Sequence, residues 1–223
     1  RSGLAMVRIS RRQHCRISIN CSLYAFVCAM VVVPGLAADS LFNGTTFDGW
    51  EGDINDVWRI ENKEIVGGSL SKKQERNNFL CTTNRYTNFD LRLRIKLSGT
   101  KGFINSGIQF RSERVRDSHE VAGYQADFGA GHDGALYDES RRKKFLARPP
   151  ESFLERDSQE DEWHDYRIRV RGNHIELWVD GIQTVDYTEV ESGLPSDGII
   201  GLQIHGNGVA EVRFKDLVIE ELP

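Results

Sequence analysis

The sequence is short of cysteine, has no run of twenty apolar residues, no excess of basic charge and no long segment with helical periodicity. Each absence removes a class of protein. Of four cysteines, Cys15, Cys21 and Cys28 fall in the first 37 residues, leaving Cys81 alone in the remainder. One thiol builds neither a disulfide framework nor a cysteine-based zinc site, so Cys81 is expected to pack as a small buried hydrophobe. The most apolar stretch, Cys21 to Val33, covers thirteen residues. As a helix it would reach about 20 Å, short of the roughly 20 residues that a bilayer crossing needs.

That stretch belongs to a segment unlike the rest. Arg8, Arg11, Arg12 and Arg16 precede it, and Pro34-Gly35-Leu36-Ala37 comes after it, the order of a cleaved secretory signal. Residues 1–37 are therefore expected to be a signal peptide, with Met6 as its start, and residues 38–223 a single exported domain, periplasmic or extracellular. No membrane-spanning segment is expected after cleavage. The segment carries five arginines and no acid, which leaves 24 basic and 33 acidic side chains and a net charge of −9. An acidic domain without a basic stripe has no electrostatic footprint for a phosphate backbone, so nucleic acid is not an expected partner.

What is present is alternation of period two. Leu91, Leu93, Ile95 and Leu97 alternate with Arg92, Arg94 and Lys96, the pattern of a strand with one dry face. Similar runs occur at 166–171, 175–179 and 182–187, punctuated by Gly172-Asn173 and Asp180-Gly181, which mark tight hairpins. Further strands are readable at 58–60, 64–66, 107–112, 123–128, 199–205 and 210–219, whereas 143–162 reads as a polar loop, with one helical turn near 141–147. Many short strands with turn signals between them define an all-β sandwich of two antiparallel sheets.

Two motifs are decoys. Gly129-x-Gly131-x-x-Gly134 has dinucleotide-loop spacing, but it leads into the strand-like Ala135-Leu136-Tyr137-Asp138 and not into the start of a helix, so no nucleotide cofactor is expected. Glu155-x-Asp157-x-x-Glu160 has the spacing of a glycosidase triad but lacks apolar residues at the alternate positions, and reads as a solvated cluster.

The wet faces are of two kinds. Arg92, Arg94, Lys96, Arg167, Arg169 and Arg171 are long flexible cations, but Gln109 and Arg111, Gln125 and Asp127, and Gln203 and His205 bring planar amides, a carboxylate and an imidazole to the sides opposite Ile108, Phe110, Ala126, Leu202 and Ile204. Amides that both donate and accept suit hydroxyl-rich ligands, and a forked guanidinium suits paired oxygens, so carbohydrate is the natural ligand class. Trp178 is a candidate stacking platform, or else packs beneath a loop. Asp127, Glu139 and His205 are candidate ligands for a divalent cation.

Asn105-Ser106-Gly107-Ile108-Gln109-Phe110-Arg111, Gly123-Tyr124-Gln125, Gly134-Ala135-Leu136-Tyr137-Asp138, Asn173 to Gly181 and Gly201-Leu202-Gln203-Ile204-His205-Gly206 together resemble the 3-keto-disaccharide hydrolase domain family. The likeness extends from Leu41-Phe42-Asn43-Gly44 to Leu222. It implies a concanavalin A-like jelly roll and an exported enzyme acting on oxidised sugars that a sugar 3-dehydrogenase supplies. It further implies that a base removes the C2 hydrogen beside a C3 ketone, that the C1 oxygen leaves, and that water then adds. On that chemistry His205 is base or metal ligand, Asp127 and Glu139 are base, acid or metal ligands, and Arg111 is the oxyanion clamp. Gln109, Gln125, Tyr137 and Gln203 would orient hydroxyls. The competing expectation is a carbohydrate-binding module without catalysis.

Overall fold

The computed structural model describes residues 38–155 and 161–223. The expectations for residues 1–37, and for Asp157 and Glu160, lie outside them. The first eight strands are β1 (Asp39–Ser40), β2 (Trp50–Glu51), β3 (Trp58–Glu61), β4 (Glu64–Gly68), β5 (Asn78–Thr82), β6 (Phe89–Gly102), β7 (Asn105–Arg114) and β8 (Val121–Gly129). After them come β9 (Leu136–Glu139), β10 (Lys144–Ala147), a helical turn α1 (Glu151–Leu154), β11 (His164–Arg171), β12 (His174–Val179), β13 (Ile182–Thr188), β14 (Ile199–Ile204) and β15 (Gly208–Glu221).

These strands form two antiparallel sheets, the sandwich expected from the alternation and the jelly roll that the family resemblance implies. The first sheet runs β13-β12-β11-β6-β15-β4-β3, with β1 also paired to β15; the second runs β10-β9-β8-β7-β14-β5-β2. Inward residues of the two sheets close one core, in which Leu91, Leu93 and Ile95 of β6 and Val212 and Phe214 of β15 share a cluster with Ile108, Phe110, Ala126, Leu202 and Ile204. Asp180 and Gly181 take positive φ values of 51° and 76°, the backbone of a type I′ hairpin turn between β12 and β13. Among the described residues no helix is long and apolar enough to cross a membrane.

The structure differs from the sequence reading in two places. Residues 144–147 form the edge strand β10, with Phe145 opposite Tyr137 of β9, where a helical turn was expected. Positive φ at Ser140 and Lys143 folds the chain back on itself, and the buried Asp138 carboxylate holds this turn by accepting from Arg141 and Arg142. Arg142 also reaches Glu189 beyond β13, at 2.6 Å. This ion-pair network fixes the strand that carries Tyr137 and Glu139. The second difference is β5, whose residues are buried on both faces, so no alternation announces it. Its Leu80 enters the main core, while Phe79 and Cys81 point the other way into a small cluster with Val121 and Ile199.

Packing is tightest where backbone approaches a ring. The Trp58 indole lies over Gly67 on the neighbouring strand, and donates from Nε1 to the Asn78 side-chain oxygen at 2.7 Å. A Cβ added at Gly67 would stand 2.4 Å from Trp58 Cζ3. Gly67→Ala should therefore lower stability by about 1–3 kcal/mol, as overpacked cores do, read as a Tm lower by several degrees in thermal unfolding.

Candidate active site

The outward face of the second sheet is built by cross-strand register. Gln125 of β8 stands between Tyr137 of β9 and Gln109 of β7. Asp127 is opposite Gly107, Gly107 is opposite Gln203 of β14, and Gln203 is opposite Phe79 of β5. Glu139 stands one pleat along β9 from Tyr137, opposite Gly123. Glycine at 107 and 201 is required by close approach: a Cβ at Gly107 would lie 2.8 Å from Gln125 Cγ, and one at Gly201 3.0 Å from Cys81 Sγ. Gln109, Gln125, Asp127, Gln203, Tyr137 and Glu139 thus share one face.

Their depth divides them. Gln109, Gln125, Asp127 and Gln203 are at most 4% exposed, whereas Tyr137 and Glu139 are half-buried and reach solvent. Gln109 donates to the Gln125 side-chain oxygen and accepts from Ser112 Oγ at 3.2 Å. These two amides therefore satisfy each other and brace the floor instead of presenting themselves to hydroxyls, which corrects the role expected of them. Gln203 is different. Its amide lies near enough to favour the charged form of Glu139, yet neither its nitrogen nor its oxygen closes a hydrogen bond. A fully buried amide without a partner is a costly arrangement of the kind that functional sites retain.

Asp127 is the electrostatic centre of this floor. Burial pushes its carboxyl up to about 7; hydrogen bonds from Asn105, the Phe128 N–H and Gln125 offset part of that push, and the nearby charge of Glu139 adds to it. Asn105 donates to Asp127 Oδ1 at 2.8 Å. Glu139 is itself raised, by burial first and then by Glu120, with the Ser140 bonds and the nearby Gln203 amide opposing. The Tyr137 phenol is raised by burial, then by Glu139 and Asp127. Burial first, and the neighbouring Glu139 charge last, favour the protonated form of Asp127.

Three expected site residues are not part of this group. Arg111 follows the alternation only in sequence. It takes φ of +44° at a bulge in the β7–β8 ladder, and its guanidinium turns to the first sheet, donating to Thr87 O at 2.7 Å and 2.9 Å and to Gly172 O at 2.6 Å. It ties the sheets together and is no oxyanion clamp. Trp178 lies on β12 of the first sheet, outward, with Arg167 and Arg169 over its ring at 4.8 Å and 5.1 Å. A ring capped by two guanidinium groups on the other sheet is no platform for a ligand at Asp127. His205 lies just past the end of β14, its ring 4.7 Å from Phe103 and its Nδ1 2.7 Å from Gly206 O.

The expected metal set fails for the same reason. The donor atoms of Asp127, Glu139 and His205 do not converge among the described residues, and no chemical step is derived through an ion there. The donors that do converge are His174, Glu176 and Asp186 on the first sheet, with one ligand atom each within 4.8 Å of the others. That geometry could hold a divalent ion, although Arg169 already pairs with Glu176 at 2.6 Å and His174 with Asp186 at 2.7 Å.

The glycine decoy is resolved by connection. The glycine-rich loop joins β8 to the antiparallel β9, with positive φ at Gly129, Gly131 and Gly134, so no helix N-terminus receives a pyrophosphate. Cys81 is buried and its thiol is pushed up to about 12, by burial, so it is inert. Sequence reasoning missed two groups around the face: Asn105, which holds Asp127, and Phe145, whose ring is 4.9 Å from that of Tyr137. A cavity of about 450 Å³, lined by Glu51, Asp53, Arg76, Phe79, Arg114 and His119, adjoins the face through Phe79. A second mouth at the end of the sandwich, of about 430 Å³ and lined by Phe103, Phe128 and Phe153, contains none of the expected residues.

An antiparallel jelly roll with a polar, carboxyl-bearing outer face defines the class of carbohydrate-active sandwich domains. Within that class, residues 37–220 match the sequence profile of the 3-keto-alpha-glucoside-1,2-lyase-like domain, and the chain belongs to that family. Comparison with curated proteins finds no match. Among solved structures, the chain is similar to a glycosyl hydrolase candidate from Parabacteroides distasonis ATCC 8503, at 19% identity and a TM-score of 0.62, over 83% of this chain and 94% of that one. It is similar to the carbohydrate-binding module CBM66 from Bacillus subtilis at 17% identity and a TM-score of 0.60, over 78% and 96%. At these identities the likeness establishes the fold.

Two measurements test this geometry. A carboxyl raised from 3.8 to about 7 by folding burdens the native state as pH climbs from about 4 to about 7, because the unfolded chain ionises first; the cost approaches the order of 4 kcal/mol. Asp127→Asn should therefore raise Tm above pH 7 and lose that advantage near pH 4. Arg111→Ala should lower unfolding free energy by about 2–4 kcal/mol in urea, since the Thr87 and Gly172 carbonyls lose their donor, with turnover of the folded fraction kept.

Proposed function

We propose that the protein cleaves 3-keto-glycosides by elimination across C1 and C2 followed by hydration. The observation that carries this reading is the pair of carboxyls, the buried Asp127 raised to about 7 and the half-buried, solvent-reaching Glu139, on one face beside the unpartnered Gln203 amide. A ketone at C3 acidifies the C2 hydrogen, so the chemistry asks for one base and one acid near neutral pH. Two glycosidase carboxylates flanking an oxocarbenium ion are not required.

The steps balance between these two residues. The Glu139 carboxylate takes the C2 proton, and the C2–H electron pair moves into an enediolate on C3. As the ketone re-forms, a C1–C2 double bond appears and the C1 oxygen leaves, taking the proton of Asp127. Water then adds its oxygen to C1 and returns a proton to Asp127, while Glu139 gives its proton back to C2. Gln203, freed from its unsatisfied state by a small shift, steadies Glu139. The Tyr137 phenol, half-exposed beside both carboxyls, donates to a sugar oxygen. The family to which the chain belongs supports the same bond as the one broken. Its substrate must come from oxidation of a C3 hydroxyl, so a sugar 3-dehydrogenase is the proposed supplier, and the basic-then-apolar order of residues 1–37 supports an exported place of action.

The test is turnover of a 3-keto-α-glucoside by the purified chain in deuterated water. Deuterium at C2 of the released 3-keto sugar is the expected signature, with kcat reduced about 10²–10⁴-fold in Glu139→Gln and activity falling above pH 7 as Asp127 loses its proton. Glycan binding without any turnover, or Glu139→Gln and Asp127→Asn working at the parental rate, would overturn the assignment in favour of a binding module.

A further inference from the structure

The rim beside Tyr137 carries a second group of side chains that the cleavage step does not use. Phe145 stands opposite Tyr137 on the edge strand, its ring 4.8 Å from the His132 ring and 4.9 Å from that of Tyr137. The Arg148 guanidinium lies over the Phe145 ring at 3.8 Å. Phe145, His132 and Tyr137 are half-buried, and Arg148 is exposed.

Arg148 differs from most arginines of this chain in that its charge is stacked on a ring and not paired. Arg59, Arg85, Arg92, Arg94, Arg114, Arg141, Arg142, Arg167, Arg169 and Arg213 each pair with a carboxylate. Arg148 forms no ion pair among the described residues, although acids outnumber bases in the chain by 33 to 29. Its flat side is held by Phe145, which leaves the fork of N–H donors pointing outward. Next to it the Nδ1 atom of His132 is buried without a hydrogen-bond partner. The imidazole is depressed by burial and then by the charge of Arg148, so it stands as a neutral group beside a fixed cation.

We propose that Arg148, Phe145, Tyr137 and His132 form a subsite for an anionic sugar ring, one that carries a carboxylate or a sulfate. This rests on the reading of the neighbouring face as a glycoside-cleaving site and names the kind of glycoside it would take. The aromatic edges accept the apolar face of a pyranose. The guanidinium fork meets paired anionic oxygens in the two-point geometry that suits carboxylate and sulfate alike, with the His132 ring packed against Phe145. A preassembled cation whose stacking partner already restrains it loses little freedom on binding.

Binding alone tests the subsite, so its failure is separable from failure of the cleavage chemistry. Methyl glucuronide, glucose 6-sulfate and neutral methyl glucoside would each be titrated calorimetrically into the full chain at low and high salt. The anionic sugars should bind at least tenfold more tightly than the neutral one, with the margin shrinking as salt rises. Preference for glucuronide over sulfate, or the reverse, identifies the source of the charge. Arg148→Gln should abolish the margin, and Phe145→Leu should weaken all three sugars; unchanged thermal unfolding of Arg148→Gln shows that the loss is local. Equal affinity for charged and neutral sugars, no binding of the anionic sugars at millimolar concentration, or an Arg148→Gln variant that keeps the margin would overturn the proposal.

Discussion

A carboxyl kept dry on the outward face of a sheet is the constraint on which the rest of this molecule turns. Asp127 is 4% exposed, and water that would stabilise its charge is replaced by one amide, one backbone N–H and a second amide. These donors do not compensate for desolvation, so the group holds its proton into the neutral range. That state costs stability, and the fold supplies it elsewhere, in a continuous aromatic and aliphatic core between the two sheets. Glu139 on the neighbouring strand adds to that push, so the face offers two carboxyls in different environments, one dry and one reaching water.

The position of that pair is a consequence of sheet geometry. Alternation puts Ala126 and Phe128 into the core and leaves Asp127 between them, facing outward. Glycines at 107 and 201 lower the adjacent strands so that the Gln125 and Gln109 amides can lie across them. Beyond β9, the turn at 140–143 is locked by Asp138, Arg141 and Arg142, which lays β10 against β9 and anchors the strand that carries Glu139. At the far end of β7 the Arg111 bulge fastens this sheet to the other through backbone carbonyls. A rigid floor with two accessible side chains, Tyr137 and Glu139, is the result.

The fold was legible in the sequence because its signal is local: Leu91 to Leu97 and Tyr166 to Val170 alternate residue by residue, and Asp180-Gly181 encodes its own turn. The shared face of Gln109, Gln125, Asp127 and Gln203 was legible for the same reason. What failed was whatever depended on distance or on broken periodicity. Alternation says that Trp178 faces outward but not from which sheet, and strand order is set by long-range pairing. Arg111 leaves the pattern because a non-glycine residue takes positive φ at a bulge, which no neighbouring residue announces. Gln109 and Gln125 look like ligand-binding amides until their mutual hydrogen bond is seen. The edge strand at 144–147 was hidden by its shortness and by the lack of alternation in Lys144-Phe145-Leu146-Ala147.

These features make the protonation state of Asp127 the quantity that decides the account. The most direct measurement is a carbon-13 NMR titration of the full chain labelled at aspartate carboxyls, with the Asp127 resonance assigned by its loss in Asp127→Asn. The account predicts that this carboxyl titrates near 7 and that Glu139→Gln moves its midpoint down, because a neighbouring charge has been removed. A midpoint near the usual aspartate value of about 4, the same with and without Glu139, would contradict it.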